Sequence, residues 1–227
     1  MNDCRGACRS ILALILTAAV FLAAFFGVRL IHFPRGGFIP GVFAMQSIYL
    51  VLCIVLMAWL AKGRLVDFGF TWGTFRPTWR FFLWILPALA LGLVSAMSAR
   101  GGHDSGNFLG FTKLQTVVFV WIYSSFCEEI LTRGLLQTLL QRAAGSSGRG
   151  LRNYPMILSG LFFGAMHLVL VPKLGAGALP IVAYATYLGL VAAYYRQRSA
   201  SLAPAILLHM LFNIAGTLPA WVVLWVR

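Results

Sequence analysis

Acidic side chains are nearly missing from this sequence. Of its 227 residues only five are Asp or Glu, against eighteen Lys or Arg, and its two glutamates, Glu128 and Glu129, are adjacent. Charged residues of both signs make up 10% of the chain, where a soluble domain carries about 25%. That shortage excludes an ordinary water-solvated exterior. Cysteine is also scarce. Cys53 and Cys127 fall inside apolar runs, and Cys4 and Cys8 have no second ligand pair nearby. Neither a disulfide framework nor a zinc knuckle is encoded. The formal net charge is +13, but no basic cluster is interleaved with exposed aromatics. No nucleic-acid partner is expected; the basic residues read as contacts to a lipid bilayer's anionic head groups and as topology signals. No internal repeat and no soluble domain is visible.

What the chain has in abundance is apolar sequence, 60% of its residues. It falls into seven runs, near 10–31, 43–61, 81–99, 114–142, 155–171, 179–195 and 203–225. A helix needs about 20 such residues to cross a bilayer. Only Gln46 and Ser47 interrupt the polarity of the second run, and Pro87 lies in the third. The first run follows Arg5 and Arg9, as in a signal peptide, but Ile11 to Val28 is long enough to span. Arg29, Leu30, Ile31 and His32 then stand where small cleavage-site residues would be, so it reads as a retained helix. Pro219 is expected to break the last run after Gly216 and leave a short terminal helix. Ala144 to Gly150 is the clearest flexible linker. The expected fold is all-α: a polytopic integral membrane bundle of about seven or eight transmembrane helices, with residues 1–227 as one membrane domain.

Basic residues gather in cytoplasmic loops. With the N-terminus inside, eleven fall inside (Arg5, Arg9, Lys62, Arg64, Arg76, Arg80, Arg142, Arg149, Arg152, Arg196 and Arg198) and six outside (Arg29, Arg35, Arg100, Lys113, Lys173 and Arg227). The split favours a cytoplasmic N-terminus. The small size and the lack of retention signals suggest a bacterial inner membrane.

Both glutamates lie inside the fourth run. A carboxylate at the bilayer centre costs roughly 2.5–3.5 kcal/mol on insertion scales, and an intramembrane ionisable residue is a functional candidate by default. Arg133 follows Glu129 by four residues, on the same helix face, so those two can form a buried pair that holds the helix. Glu128 points about 100° away and lacks this partner. His167 lies in the fifth run, one turn after Phe163, with Gly160 and Gly164 forming a small-xxx-small pattern for close helix approach. His209 and Asn213, four apart on one face, lie in the seventh run. Any one of these could be a helix–helix hydrogen bond. Together they are a carboxylate, two imidazoles and an amide at compatible depths between midplane and inner surface. His32 and His103 fall in loops. Such a set suits hydrolysis: the carboxylate as general base on water, and an imidazole and an amide N–H for a developing oxyanion. A small transporter with a proton relay would also use such residues, but it would prefer interrupted helices in matching halves.

Glu128-Glu129-Ile-Leu-Thr-Arg133 matches a Glu-Glu-xxx-Arg motif, Phe163 to His167 a Phe-xxx-His motif, and His209 to Asn213 a His-xxx-Asn motif. In this order, on separate membrane helices, they resemble the CAAX-protease and bacteriocin-processing family (CPBP, or ABI). The flanking Arg133-Gly134-Leu135 and Ser201-Leu202-Ala203-Pro204 look similar too. The resemblance covers about 115–216, which would be the catalytic core. It implies an intramembrane glutamic endopeptidase acting on a membrane-associated protein or peptide. Glu128 would activate water, His167 would help to hold it, and His209 and Asn213 would bind the oxyanion. Glu129 and Arg133 would fix the helix, with Phe163 supporting the site. It implies no metal cofactor, and the sequence has no His-Glu-xx-His. Glu128, His167 and His209 could nevertheless supply three zinc ligands, so a zinc-dependent peptidase stays open, as does a non-enzymatic immunity or scaffold protein on the same fold. Thr132 departs from the family, which often has an aromatic there. It is expected to alter the cavity wall and to touch no catalytic position.

Overall fold

A computed structural model of the chain describes residues 2–31, 40–98, 111–145 and 153–226; His32 and His103 lie outside them. All the regular structure among the described residues is helical. The principal helices are α1 (Asn2–Gly27), α2 (Gly41–Leu60), α3 (Trp79–Leu83), α4 (Leu86–Ser98), α5 (Lys113–Ala144), α6 (Tyr154–Met166), α7 (Ala178–Ser199) and α8 (Ala203–Val226). The bundle is inverted relative to a soluble protein. Ile11, Leu12, Ile15, Leu22 and Phe26 of α1, Val51 and Val55 of α2, and Leu91, Val94 and Met97 of α4 point outward. Arg133, Glu129, Gln137, Ser125 and Ser159 are fully buried. Lipid tails accept the first set, and only the protein interior can satisfy the second.

Among the described residues five helices are long and apolar enough to cross a membrane, and one of these runs through Tyr154–Ser199. Its packing shows that it doubles back. A Cβ on Gly160 would lie 2.9 Å from the backbone N of Leu190, and one on Gly164 would lie 3.1 Å from Thr186 Cα. Contacts that advance along α6 as they retreat along α7 make an antiparallel hairpin, turned by the 3-10 and helical segments between His167 and Gly177. The other pairings follow in the same way. Arg133 bonds Gly189 O and Gln137 bonds Ala193 O, so α5 and α7 run parallel. Trp121 bonds Thr217, while Glu129 meets His209, so α5 and α8 are antiparallel.

One expectation from the prolines changes, that for Pro219. The third apolar run breaks at Trp84 and Ile85, and Pro87 sits in the first turn of α4, where its missing N–H is no loss. The last run is not broken at all: α8 continues through Pro219 to Val226. Pro219 leaves the carbonyl of Ala215 without its helical donor. Gly92 of α4 packs directly onto that carbonyl, with a Cβ there falling 2.5 Å from Ala215 O and 2.9 Å from Gly216 O. A neighbouring helix that covers the freed group is how membrane helices tolerate proline.

Helix α5 is the least regular. A capping box between Thr112 and Gln115 starts it. It is then π-helical over Thr116–Ser124, α-helical over Ser125–Glu129 and π-helical again over Ile130–Gln137. The paired glutamates occupy the short α-helical stretch between two widened ones, and π geometry is frequent at functional sites.

Candidate active site

The two glutamates divide their partners. Glu128 Oε1 accepts from Gln46 Nε2 of α2 at 2.8 Å and from Ser124 Oγ at 2.7 Å. Its second oxygen, Oε2, lies 3.9 Å from His209 Nε2. Glu129 Oε1 accepts from Arg133 Nη1 at 3.1 Å and from His209 Nδ1 at 2.9 Å. One imidazole thus stands between both carboxylates. A carboxylate only accepts, so the Glu129 bond places the His209 proton on Nδ1 and turns Nε2 towards Glu128. Glu128 keeps 13% side-chain exposure where Glu129 has none. Glu128 therefore faces the accessible side, and Glu129 the closed interior.

Arg133 ties this centre to its neighbours. Besides Glu129, it donates through Nη2 to Gly189 O at 2.7 Å and through Nη1 to Thr132 Oγ1. Its guanidinium lies 4.6 Å from the Phe163 ring centroid. That ring also touches both imidazoles edge-on, His167 at 5.1 Å and His209 at 5.3 Å between centroids. His167 donates from Nδ1 to Phe163 O at 2.9 Å, which leaves its Nε2 as an acceptor. Asn213, one turn beyond His209 on α8, donates from Nδ2 to Val120 O at 2.9 Å and to Ser125 Oγ at 3.0 Å. Both of its N–H groups rest on α5.

Glu128, Glu129, Arg133, Phe163, His167 and His209 therefore form one connected set, and Asn213 joins it through α5. Thr132 does more than line a wall. It is fully buried, donates to the backbone carbonyl of Glu128 at 2.7 Å and accepts from Arg133. Its small β-branched side chain does what an aromatic could not, because a hydroxyl at this place satisfies both groups. Sequence reasoning missed Gln46, Ser124 and Ser125. The signal for Gln46 was its place as one of two polar residues in the second apolar run.

A zinc site on Glu128, His167 and His209 would need all three side chains on one ion at about 2 Å. Among the described residues no three His, Cys, Asp or Glu side chains come together in that way. Glu129 and Phe163 O hold the Nδ1 atoms of the two imidazoles.

Residues 109–215 match the family of Rce1-like proteins, described as type II CAAX prenyl endopeptidases. No curated protein and no solved structure gives a significant match to the chain. The matched segment contains α5, α6, α7 and most of α8, hence all three motifs, and leaves α1 to α4 outside. Over that segment, just under half of the chain, the protein is similar to the type II CAAX prenyl endopeptidases.

Proposed function

We propose that this protein is an intramembrane endopeptidase that cuts a peptide bond of a membrane-associated protein or peptide, with Glu128 as general base. The observation that carries this reading is the pairing of Glu128 Oε2 with His209 Nε2 at 3.9 Å. A water about 2.8 Å from each atom fits between them. The carboxylate oxygen tied to Gln46 and Ser124 is occupied, and the oxygen facing His209 is the one able to take a proton.

In the proposed reaction the water gives a proton to Glu128 Oε2 while its oxygen bonds to the scissile carbonyl carbon. The carbonyl electrons move onto its oxygen. His209, held by Glu129, stands beside that oxyanion and donates to it from Nε2 in its imidazolium form. Asn213 supplies a further N–H by turning it from Ser125 Oγ, which is itself bonded to Trp121 O at 2.7 Å. His167 Nε2 accepts a hydrogen bond from the attacking water. Collapse of the intermediate breaks the C–N bond, and the proton held by Glu128 passes to the leaving amine. No step uses a metal.

The name of the family suggests a substrate class: a prenylated C-terminal peptide, lipid-anchored beside the site. The ends of the bundle support an orientation. Lys62, Arg64, Arg142, Arg196 and Arg198 gather where α2, α5 and α7 end, with Arg142 over Phe68 at 4.4 Å. We assign this end to the cytoplasm by the positive-inside rule. The test is cleavage of a farnesylated peptide ending in Cys-aliphatic-aliphatic-X by purified protein, with mass spectrometry of the products. The wild type should release the last three residues and Glu128→Gln should release none. Equal release by both would remove Glu128 from the chemistry.

A further inference from the structure

We infer that Gln46, on a helix outside the segment shared with the family, is a positioning residue for the Glu128 carboxylate. Its Nε2 donates to Glu128 Oε1 at 2.8 Å across a sequence separation of 82 residues. Together with Ser124 Oγ at 2.7 Å, this occupies the one oxygen and fixes the torsion of the carboxylate. Oε2 is thereby aimed at His209 Nε2. Ser124 lies on the same helix as Glu128 and moves with it. Gln46 comes from α2 and sets the carboxylate relative to the rest of the bundle.

A simple helix–helix contact would look different. Gln46 is 5% exposed, and its other polar atom, Oε1, is buried without a hydrogen-bond partner. Leaving such an acceptor unsatisfied is destabilising, so Gln46 is a poor choice for holding α2 against α5. The surrounding core is apolar and closely packed, with Tyr49, Cys53 and Met57 of α2 against Cys127, Ile130 and Leu131 of α5. An unbranched apolar side chain would suit that core better. A residue that satisfies the glutamate while leaving its own oxygen stranded is placed for the glutamate. The same helix supports the wall beside it, through Ser47 Oγ and Tyr123 OH at 2.6 Å. The site is thus completed by a fourth helix.

This inference rests on the proposed role of Glu128, and the experiment keeps the two apart. Wild type, Glu128→Gln, Gln46→Met and Gln46→Glu are purified in the same detergent and assayed on the farnesylated peptide, with thermal unfolding measured alongside. Gln46→Met has similar length and no donor. Its kcat should fall about 10- to 100-fold, the range for groups that orient a reacting side chain, with KM within about twofold and melting temperature equal or higher. Gln46→Glu sets a second carboxylate against Glu128, and its kcat should fall further than that of Gln46→Met. A second readout needs no turnover. The carboxylate stretch of Glu128, isolated as the infrared difference against Glu128→Gln, should shift when Gln46→Met is introduced into both backgrounds. If the wild type does not cut the peptide, the proposed function fails on that substrate and the infrared shift alone decides the inference. A stretch that does not move, or a Gln46→Met protein that unfolds earlier yet keeps wild-type kcat, would overturn it and leave Gln46 as a packing contact.

Discussion

Replacing Glu129 by Gln separates charge from hydrogen bonding at the centre of the bundle. One oxygen, Oε1, receives both His209 Nδ1 at 2.9 Å and Arg133 Nη1 at 3.1 Å, while Oε2 has no partner. Arg133 has only donors, so a glutamine must present its oxygen to that shared position and its amide nitrogen where Oε2 was. Both bonds survive. What is lost is the countercharge of a guanidinium with no exposed surface. Breaking a buried pair by removing one partner costs about 3–5 kcal/mol, and retention of the bonds puts Glu129→Gln at the lower end. That is about two powers of ten in the folding equilibrium. Glu129→Leu loses the bonds too, each worth about 1.5–3 kcal/mol to a charged group, and should be the worse. The double variant Glu129→Leu with Arg133→Met should regain most of the stability, because an apolar replacement of a whole buried pair is often neutral. It should remain inactive, since His209 has lost its anchor. Unfolding by SDS titration in mixed micelles, followed by tryptophan fluorescence, measures the series. If Glu129→Gln unfolds within about 1 kcal/mol of the wild type, a cost well below that for a broken buried pair, the argument that Arg133 depends on this charge is wrong.

Glu128→Gln should fold as the wild type does and lose about 10²- to 10⁴-fold in kcat, the usual contribution of a general base; Glu129→Gln should lose less, because its His209 bond persists. Gly164→Ala places a Cβ against the Thr186 side chain and 3.1 Å from its Cα, so α6 and α7 must separate. Overpacking of this kind costs about 1–3 kcal/mol, and retention of folded protein on size-exclusion chromatography should drop. Gly92→Ala should weaken α8 at Pro219 in the same assay, and pairing it with Pro219→Ala should recover part of the loss by restoring a donor to Ala215 O. Asn213→Ala should lower kcat about 10²- to 10³-fold if its amide reaches the oxyanion, with KM nearly unchanged. An Asn213→Ala protein with full kcat and a lowered melting temperature would confine this amide to joining α8 with α5.

Part of this architecture was legible because it depends on spacing within one helix. The membrane class follows from composition, and the Glu129–Arg133 pair follows from an i,i+4 interval. The order of the three motifs pointed to one site before any contact was known. What could not be read depends on partners far away in the chain. Nothing local distinguishes a glutamine that reaches a glutamate 82 residues later from one that faces lipid. Pro219 gave a correct local signal, a missing donor, but its consequence was cancelled by Gly92 on another helix. The double role of Glu129 was hidden for a similar reason: the spacing shows Arg133, and only the antiparallel packing of α8 brings His209 onto the same oxygen.

The π-helical stretches show a subtler limit. Face assignments along α5 assumed about 3.6 residues per turn, and Thr116–Ser124 and Ile130–Gln137 do not keep that period. Val120 and Ser125, five apart, would diverge by about 140° on an α-helix. Both are nevertheless within reach of the single amide of Asn213, at 2.9 and 3.0 Å. A turn closed over i→i+5 brings residues five apart near a common face, which is what this grip requires. The site depends on that widening in a definite way. Between the two stretches only Ser125–Glu129 keeps the α-helical period, and this sets the angle between the two glutamates. Glu129 can then turn inward to Arg133 while Glu128 turns towards Gln46, with His209 within reach of both. Deleting one residue from the first π stretch, at Ile122 for example, would tighten that stretch towards the α-helical period and rotate everything before the deletion by about 100° relative to the glutamates. Asn213 would then lose Val120 and Trp121 would lose Thr217, while the Glu129–His209 bond, on the far side of the change, would stay.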